Sequence, residues 1–330
     1  MKELFFYLRC LFYIKRDLKK IDNRVIPNNQ NEIRAFMIVR NEALRMPYVL
    51  QHYRKLGVNR FLIIDNDSTD TTREFLLKQP DVHVFYTRKG YSNHWNWMGA
   101  LLEKYGRNYW CLVVDADEIF IYPHYEELSL PKLCEYMEKN KQTAILNILV
   151  DMYPKGSIQS SNYQAGEDLI RKSPYFDPYS YDIYIDRGRN RKTGKRFERQ
   201  LFRGGTRKRV FNQHANSSKV SLIKFDRKTY LTRGMHSADG VSFSDLQGVV
   251  LHFKFLFDFV ARTKEEVKRG EYYKNAIAYK KYVEKIDNGS FNEIYYDGSI
   301  KYENSAQLIK LGFMKSSPDY ENFINSFKNS

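Results

Sequence analysis

The sequence predicts an α/β fold: a mostly parallel sheet flanked by helices. Three observations lead there. From Glu32 to about residue 120, apolar runs of strand length alternate with segments of helical spacing. Each apolar run ends in polar or acidic residues, so chemistry collects along one sheet edge, where open α/β sheets bind ligands. The fourth run, Leu-Val-Val-Asp-Ala-Asp-Glu at 112–118, passes directly into two aspartates one residue apart.

The elements follow in order. Residues 35–39 form a strand ending at Arg40-Asn41-Glu42. A helix over 43–57 carries Leu44, Val49, Leu50, Tyr53 and Leu56 at helical spacing and stops at Gly57. Residues 60–64 make a second strand, followed by Asp65-Asn66-Asp67-Ser68-Thr69-Asp70, whose hydroxyls and carboxylates cap a helix reaching Leu77. A strand over 82–86, a helix over 94–105 ending at Gly106 and a strand over 109–114 complete this half. Beyond Pro123 the spacing predicts a helix over 133–140 and a strand over 144–150 that ends at Asp151. Residues 154–195 read as loops with short strands, 249–257 as a strand, 263–286 as helical, and the remaining tail as polar and peripheral. The implied organisation is a basic, amphipathic segment over 1–31, a main domain over 32–260 divided at residue 123, and a helical extension over 261–330.

Composition excludes a disordered chain: 42% of the 330 residues are hydrophobic, with only 9 prolines and 17 glycines. The 26 tyrosines offer rings with a polar tip, suited to sugars and bases, although AT-rich coding would produce the same bias. A formal net charge of +15 attracts polyanions: nucleic acid, an anionic membrane face or phosphorylated substrates. Cys10, Cys111 and Cys134 show neither pairing nor metal spacing, which fits a reducing cytoplasm. The aromatic N-terminus is interrupted by Arg9, is too short to span a bilayer and lacks a signal-peptide cleavage site. With Lys15, Arg16, Lys19 and Lys20 it reads either as a helix lying on a membrane or as one packed on the domain.

Alternation along a strand would point Asp115 and Asp117 the same way. Two carboxylates desolvated side by side repel, and a hard divalent cation, Mg²⁺ or Mn²⁺, relieves them. A late histidine could add a ligand: His252, in Leu-His-Phe-Lys-Phe, or His236 beside a turn. The loop at Asp65 and Asn66 contains neither G-x-G-x-x-G nor a P-loop, and its carboxylate and amide suit a ribose or base edge. Arg-Gly-Gly-Thr-Arg-Lys-Arg at 203–209 places Arg203, Arg207 and Arg209 in strand-like alternation, with guanidiniums that can grip phosphate in two-point contacts.

As an ordered set, Val-Arg-Asn-Glu-Ala, His-Tyr-Arg-Lys-Leu-Gly-Val, Ile-Ile-Asp-Asn-Asp-Ser-Thr-Asp and Val-Asp-Ala-Asp-Glu resemble glycosyltransferase family 2 of the GT-A fold, a Rossmann-like architecture. The similarity is to the branch with a DNDSxD loop and a DADE metal motif. A looser likeness to bacterial members continues through Asp-Met-Tyr, Gly-Gly-x-Arg-x-Arg-Val-Phe and the Lys254-containing Leu-His-Phe-Lys-Phe. The resemblance implies a nucleotide-diphosphate sugar donor at the strand ends, Mn²⁺ or Mg²⁺ between the aspartates and the diphosphate, and inversion at the anomeric carbon. Carried over by position, Arg40, Asn41 and Glu42 line the nucleotide pocket, Asp65 lies near base or ribose, and Asn96 contacts the donor. Asp115 meets ribose or a metal-bound water, and Asp117 holds the metal. The Glu-Asp pair that supplies the general base in many relatives is missing after the metal motif, save for Glu167-Asp168. Asp151 is the first choice for that base, ahead of Glu167, Asp168 and Asp239.

The expected partners are the donor, a glycan or lipid-linked acceptor of surface-polysaccharide or lipopolysaccharide synthesis, and an anionic membrane at the inner face, with no nucleic acid. The rival readings are a nucleic-acid-binding protein and a metal-dependent nucleotidyltransferase that would release pyrophosphate.

Overall fold

The computed structural model describes residues 10, 12–189, 194, 196–232, 236–271, 273–288, 291 and 293–328. Its strands are β1 Lys19–Lys20, β2 Ile33–Val39, β3 Arg60–Asp65, β4 Val82–Tyr86, β5 Trp110–Val113, β6 Glu118–Ile121, β7 Ala144–Asp151, β8 Tyr175–Phe176, β9 Tyr181–Arg189, β10 Arg196–Gly204, β11 Ser218–Lys224, β12 Tyr230–Thr232, β13 Ser237–Asp239, β14 Phe243–His252 and β15 Ile300–Lys301. The helices that bear on the argument are α1 Met46–Leu56, α2 Thr72–Leu77, α3 His94–Tyr105, α4 Leu130–Lys139, α5 Leu169–Lys172, α6 Thr206–Phe211, α7 Phe259–Arg269, α8 Tyr273–Asp287, α9 Ser305–Lys310 and α10 Pro318–Lys328.

Nine strands form one sheet in the order β1-β4-β3-β2-β5-β11-β7-β14-β6. Strands β4, β3, β2, β5, β7 and β14 share one direction, while β1, β11 and β6 oppose it. Both faces are buried, and the alternation within one strand shows it. Ala35, Met37 and Val39 of β2 enter one core; Phe36 and Ile38 enter the other. Helices α1 and α4 cover the first face through residues such as Val49, Leu50, Leu133 and Met137. Helix α3 covers the second through Trp97, Met98, Leu101 and Leu102. Helix α1 begins with proline in its first turn and ends at Gly57, whose φ of 108° only glycine adopts freely. A Cβ there would also lie 2.6 Å from the Pro131 ring at the start of α4.

Three expectations need correction. Residues 206–211 form α6 rather than a strand, because Gly204 and Gly205, at φ 92° and 70°, turn the chain out of β10. The segment expected to hold loops with short strands contains the nine-residue β9, paired with β10 in a long ribbon. The tail is not peripheral: Leu308, Phe313, Tyr320 and Ile324 are buried in the first core. Its polar average conceals an apolar face at helical spacing. Gly270 divides the charged helical region into α7 and α8.

Of the N-terminal segment, residues 1–9 and 11 lie outside the described residues. The described part packs on the domain. Leu18 is buried in the second core, the Trp97 indole donates to Asp17 at 2.9 Å, and β1 pairs with β4. Among the described residues, no helix is long and apolar enough to cross a membrane.

Candidate active site

The same-direction strands β2, β3, β5, β7 and β14 bring their carboxyl ends to one edge. Register aligns that edge side by side: His252 stands opposite Asp151 on β7 and opposite Glu118 on β6. Asp115 and Asp117 lie just beyond β5, in the turn that leads to β6.

A chain of charged groups runs along the edge. Asp117 Oδ2 lies 3.3 Å from His252 Nε2. His252 Nδ1 lies 2.6 Å from Asp151 Oδ1, and the Arg207 Nε–H donates to Asp151 Oδ2 at 2.8 Å. The loops are fixed from behind by backbone bonds, with the Phe253 amide donating to the Asp117 carbonyl at 2.7 Å and the Met152 amide to the His252 carbonyl at 2.9 Å. Burial alone would push the Asp117 carboxyl up, but His252, with Arg262 and Arg45, holds it well below the usual carboxylate range. Burial alone would lower His252; Asp117 and Asp151 raise it to about 9, so without other cations the imidazole carries a proton between two carboxylates.

The two aspartates of the D-x-D motif face different partners, contrary to the strand alternation expected of them. The turn after β5 breaks the period, and Asp115 accepts from the Lys219 ammonium of β11 at 3.0 Å. Lys219 also pairs with Glu118, whose carboxylate accepts the Asp115 amide at 2.8 Å. Lys219 is 1% exposed; burial would lower its pKa, but Asp115 and Glu118 raise it and keep it charged. Burial pushes Glu118 up against the pull of Lys219. Among the described residues, no group of three or more His, Cys, Asp or Glu side chains is placed to hold a metal ion, so Asp115, Asp117 and His252 do not stand together as a ligand set.

A second cluster backs the edge. Fully buried Arg45 forks onto Asp258 at 2.7 and 2.8 Å and reaches Glu42 at 3.4 Å, while Arg262 of α7 grips Glu42 from the other side. Burial raises the Glu42 carboxyl against both guanidiniums. Arg40 donates to the carbonyls of Asn66 and Asp67 at 2.9 and 2.6 Å, and Asn41, at φ 53°, accepts the Thr69 amide at 2.8 Å. These two residues join the first and second strand-end loops. Asp65 is buried and accepts from the Ser68 amide at 2.9 Å and from Arg73 at 2.5 Å. Asn66 donates to the Lys89 carbonyl at 2.9 Å, and its own carbonyl oxygen is buried with no hydrogen-bond partner. Asn96 is half-buried on the first turn of α3. Lys254 lies 4.5 Å from the Tyr279 ring centre and 5.2 Å from that of Tyr282.

Other expected site residues are used elsewhere. Arg209 donates to Asp177 at 2.6 Å and to the Ile294 carbonyl at 2.6 Å, because residues two apart on a helix point in different directions. Its phosphate role is therefore withdrawn, while Arg207 stays at the edge. Arg203 lies over the Tyr184 ring on the ribbon. His236 bonds the Ser218 carbonyl at 3.0 Å. Glu167 pairs with Lys172, Asp168 caps α5, and Asp239 lies in the separate β12–β13 hairpin. Asp151 is 1% exposed with both oxygens engaged, which is a poor setting for a general base. The sequence reading missed Lys219, Glu118, Arg45, Asp258 and Arg262. Only Glu118, the last residue of the DADE motif, carried a signal.

This edge, with an acidic turn after β5 and polar strand-end loops, is that of a GT-A-type glycosyltransferase. Residues 35–221 match the family described as Glycosyl transferase family 2, and the chain belongs to it. It is thus a glycosyltransferase that uses a nucleotide-sugar donor. No curated protein sequence matches it. Among solved structures, UTP-bound UGPase from Acinetobacter baumannii is similar at 7% identity over 78% of this chain and 83% of that one, with a TM-score of 0.28.

Proposed function

We propose that the chain is an inverting, divalent-metal-dependent glycosyltransferase acting on a glycan or lipid-linked acceptor in bacterial surface-polysaccharide or lipopolysaccharide synthesis. One observation carries the metal: a carboxylate oxygen of Asp117 and the Nε2 of His252 converge from separate strand ends, 3.3 Å apart. The donor set fits the group. One hard oxygen and one imidazole nitrogen, completed by diphosphate oxygens, suit Mn²⁺ or Mg²⁺, and the Asp151 carboxylate on Nδ1 is the customary support behind a metal-bound histidine. When bound, the ion would neutralise charge on the departing diphosphate.

The protein's own groups do the rest. Asp151 acts as a positioning residue, fixing the tautomer of His252 so that Nε2 faces Asp117. Arg207 holds Asp151 ionised by its charge. Lys219 neutralises Asp115 and Glu118, leaving Asp117 as the carboxylate directed at the cation. Lys254 carries a positive charge at the same edge, no carboxylate among the described residues pairs with it, and it is suited to a phosphate oxygen. Arg40, Asn41, Asp65 and Asn66 shape the strand-end loops around the nucleotide, and Asn96 approaches the donor from α3. Inversion and the acceptor class rest on the family resemblance.

The test is Asp117→Ala. It is expected to abolish transfer, read as release of nucleoside diphosphate, and to abolish the Mn²⁺-dependent rise in melting temperature with UDP or GDP while keeping the wild-type circular dichroism spectrum. Unchanged transfer would refute the metal assignment, and release of pyrophosphate would move the protein to nucleotidyl transfer.

A further inference from the structure

One aromatic cluster fixes three elements beneath the strand-end edge. Phe211 of α6, Phe255 just past β14 and Tyr282 of α8 are buried in it together, with Tyr282 edge-on to Phe211 at 4.6 Å. Just after α6, the Gln213 side-chain amide donates to the Ala278 carbonyl of α8 at 2.9 Å. The same elements carry cations of the edge: Arg207 lies one turn before Phe211, and Lys254 immediately precedes Phe255. Tyr279 lies one turn before Tyr282, so the two rings share a face of α8. Both rings hold Lys254. Its ammonium donates to the Tyr279 hydroxyl oxygen at 3.3 Å and lies 4.5 Å and 5.2 Å from the Tyr279 and Tyr282 ring centres. Burial works against this ammonium, while the two tyrosines and then Asp117 favour it, so it stays charged. Among the described residues no carboxylate pairs with it. A carboxylate partner would cancel the charge and repel a diphosphate; ring faces hold it without adding negative charge.

We propose that Tyr279 is a positioning residue that aims the Lys254 ammonium at the sugar-bearing phosphate of the donor, so that α8 completes the active site. The proposal rests on the reading of Lys254 as a phosphate ligand. In transfer, the bond from the anomeric carbon to the diphosphate oxygen breaks, and its electron pair stays on that oxygen. The acceptor oxygen bonds to the carbon in its place, and the acceptor's proton is released. An ammonium already aimed at the diphosphate offsets the charge gained there without rearranging. Lysine is a point charge on a flexible four-carbon stem, so its neighbours must set its direction. Here one of its three N–H donors goes to the Tyr279 oxygen, and the ring face fixes the stem's end. Tyr282 is enclosed by the cluster and anchors α8, whereas Tyr279 is half-buried at the rim and makes the contact.

The full chain with Mn²⁺ is titrated calorimetrically with UDP, GDP, ADP, CDP and dTDP and with the matching monophosphates. The wild type is expected to prefer one diphosphate over its monophosphate, and the ratio of the two affinities is the readout. Lys254→Met should lower that ratio about tenfold or more. Tyr279→Leu should lower it about fivefold, while Tyr279→Phe, which keeps the ring, should stay within about twofold of the wild type. Monophosphate affinity should not change in any of them, since a merely loosened fold would weaken both ligands alike. Added to Lys254→Met, Tyr279→Leu should lower the ratio no further. If the leucine variant does not fold, Tyr279→Met carries the test. Equal affinity for di- and monophosphates, or no binding of either, in the wild type would overturn the phosphate reading of Lys254 and this proposal with it. So would an unchanged ratio in Lys254→Met. A ratio lowered by Lys254→Met but not by Tyr279→Leu would overturn the positioning role alone, as would an undiminished effect of Tyr279→Leu without the lysine.

Discussion

Lys219 shows how a single buried charge organises the site. Its ammonium sits between Asp115 and Glu118, and Glu118 is itself buried. Removing one partner of a buried pair leaves the other charged and unpaired, which costs on the order of 3–5 kcal/mol, whereas replacing both can be nearly neutral. Lys219→Met is therefore expected to lower the urea midpoint sharply, and Lys219→Met/Glu118→Gln to recover most of the loss. Equal destabilisation in the two would show that the pair is not the source. Asp151 supports a different expectation. If it positions His252, Asp151→Asn should weaken Mn²⁺ binding, measured by calorimetry, by about 10–100-fold. A base role would instead spare metal binding and remove turnover. Arg207 reaches the edge from α6 rather than from the strand expected, while the aspartates and His252 were legible in the sequence because strand ends in an α/β sheet collect polar chemistry. Lys219 was not, since Ser-Lys-Val-Ser-Leu-Ile-Lys reads as an ordinary strand with one solvated face. Its burial arises only when β11 inserts between β5 and β7.

At the scale of elements, the first half of the chain was readable to within a few residues, because each βα unit is local and its caps are written in sequence. The strand over 82–86 and the helix over 94–105 are found at those positions. Beyond residue 150 the pattern failed where long-range contacts decide. Arg203, Arg207 and Arg209 have strand spacing, yet two glycines and packing of Val210 and Phe211 into the aromatic cluster with Phe255, Phe259 and Tyr282 wind 206–211 into a helix. Helix α10 is the clearest case. Tyr320 is fully buried, its ring lies 4.8 Å from that of Tyr136 on α4, and its hydroxyl donates to the Pro123 carbonyl at 3.1 Å. Tyr320→Ala is expected to cost about 3–5 kcal/mol in chemical denaturation. A peripheral helix would lose under about 0.5 kcal/mol.

Over the whole molecule, histidines whose burial outweighs the pull of nearby carboxylates make stability depend on acid. His52 is stacked on Tyr48 and meets Tyr53 and Tyr125, with a buried Nε2 that has no hydrogen-bond partner. Burial lowers its pKa from 6.5 to about 4, and burial with Lys219 nearby does the same for His236. The unfolded chain takes up these protons near pH 6.5 and the folded chain only near pH 4. These two histidines therefore cost nothing above about pH 6.5, reduce stability as pH drops from there towards 4, and add no further loss below. His52→Phe keeps an aromatic ring in the stack but removes the proton site. Plotted against pH, its unfolding free energy should lose on the order of 2 kcal/mol of the wild-type decline between pH 6.5 and 4. Its curve should run parallel to the wild type above that window. If the two curves stay parallel throughout, His52 titrates normally and the acid sensitivity arises elsewhere.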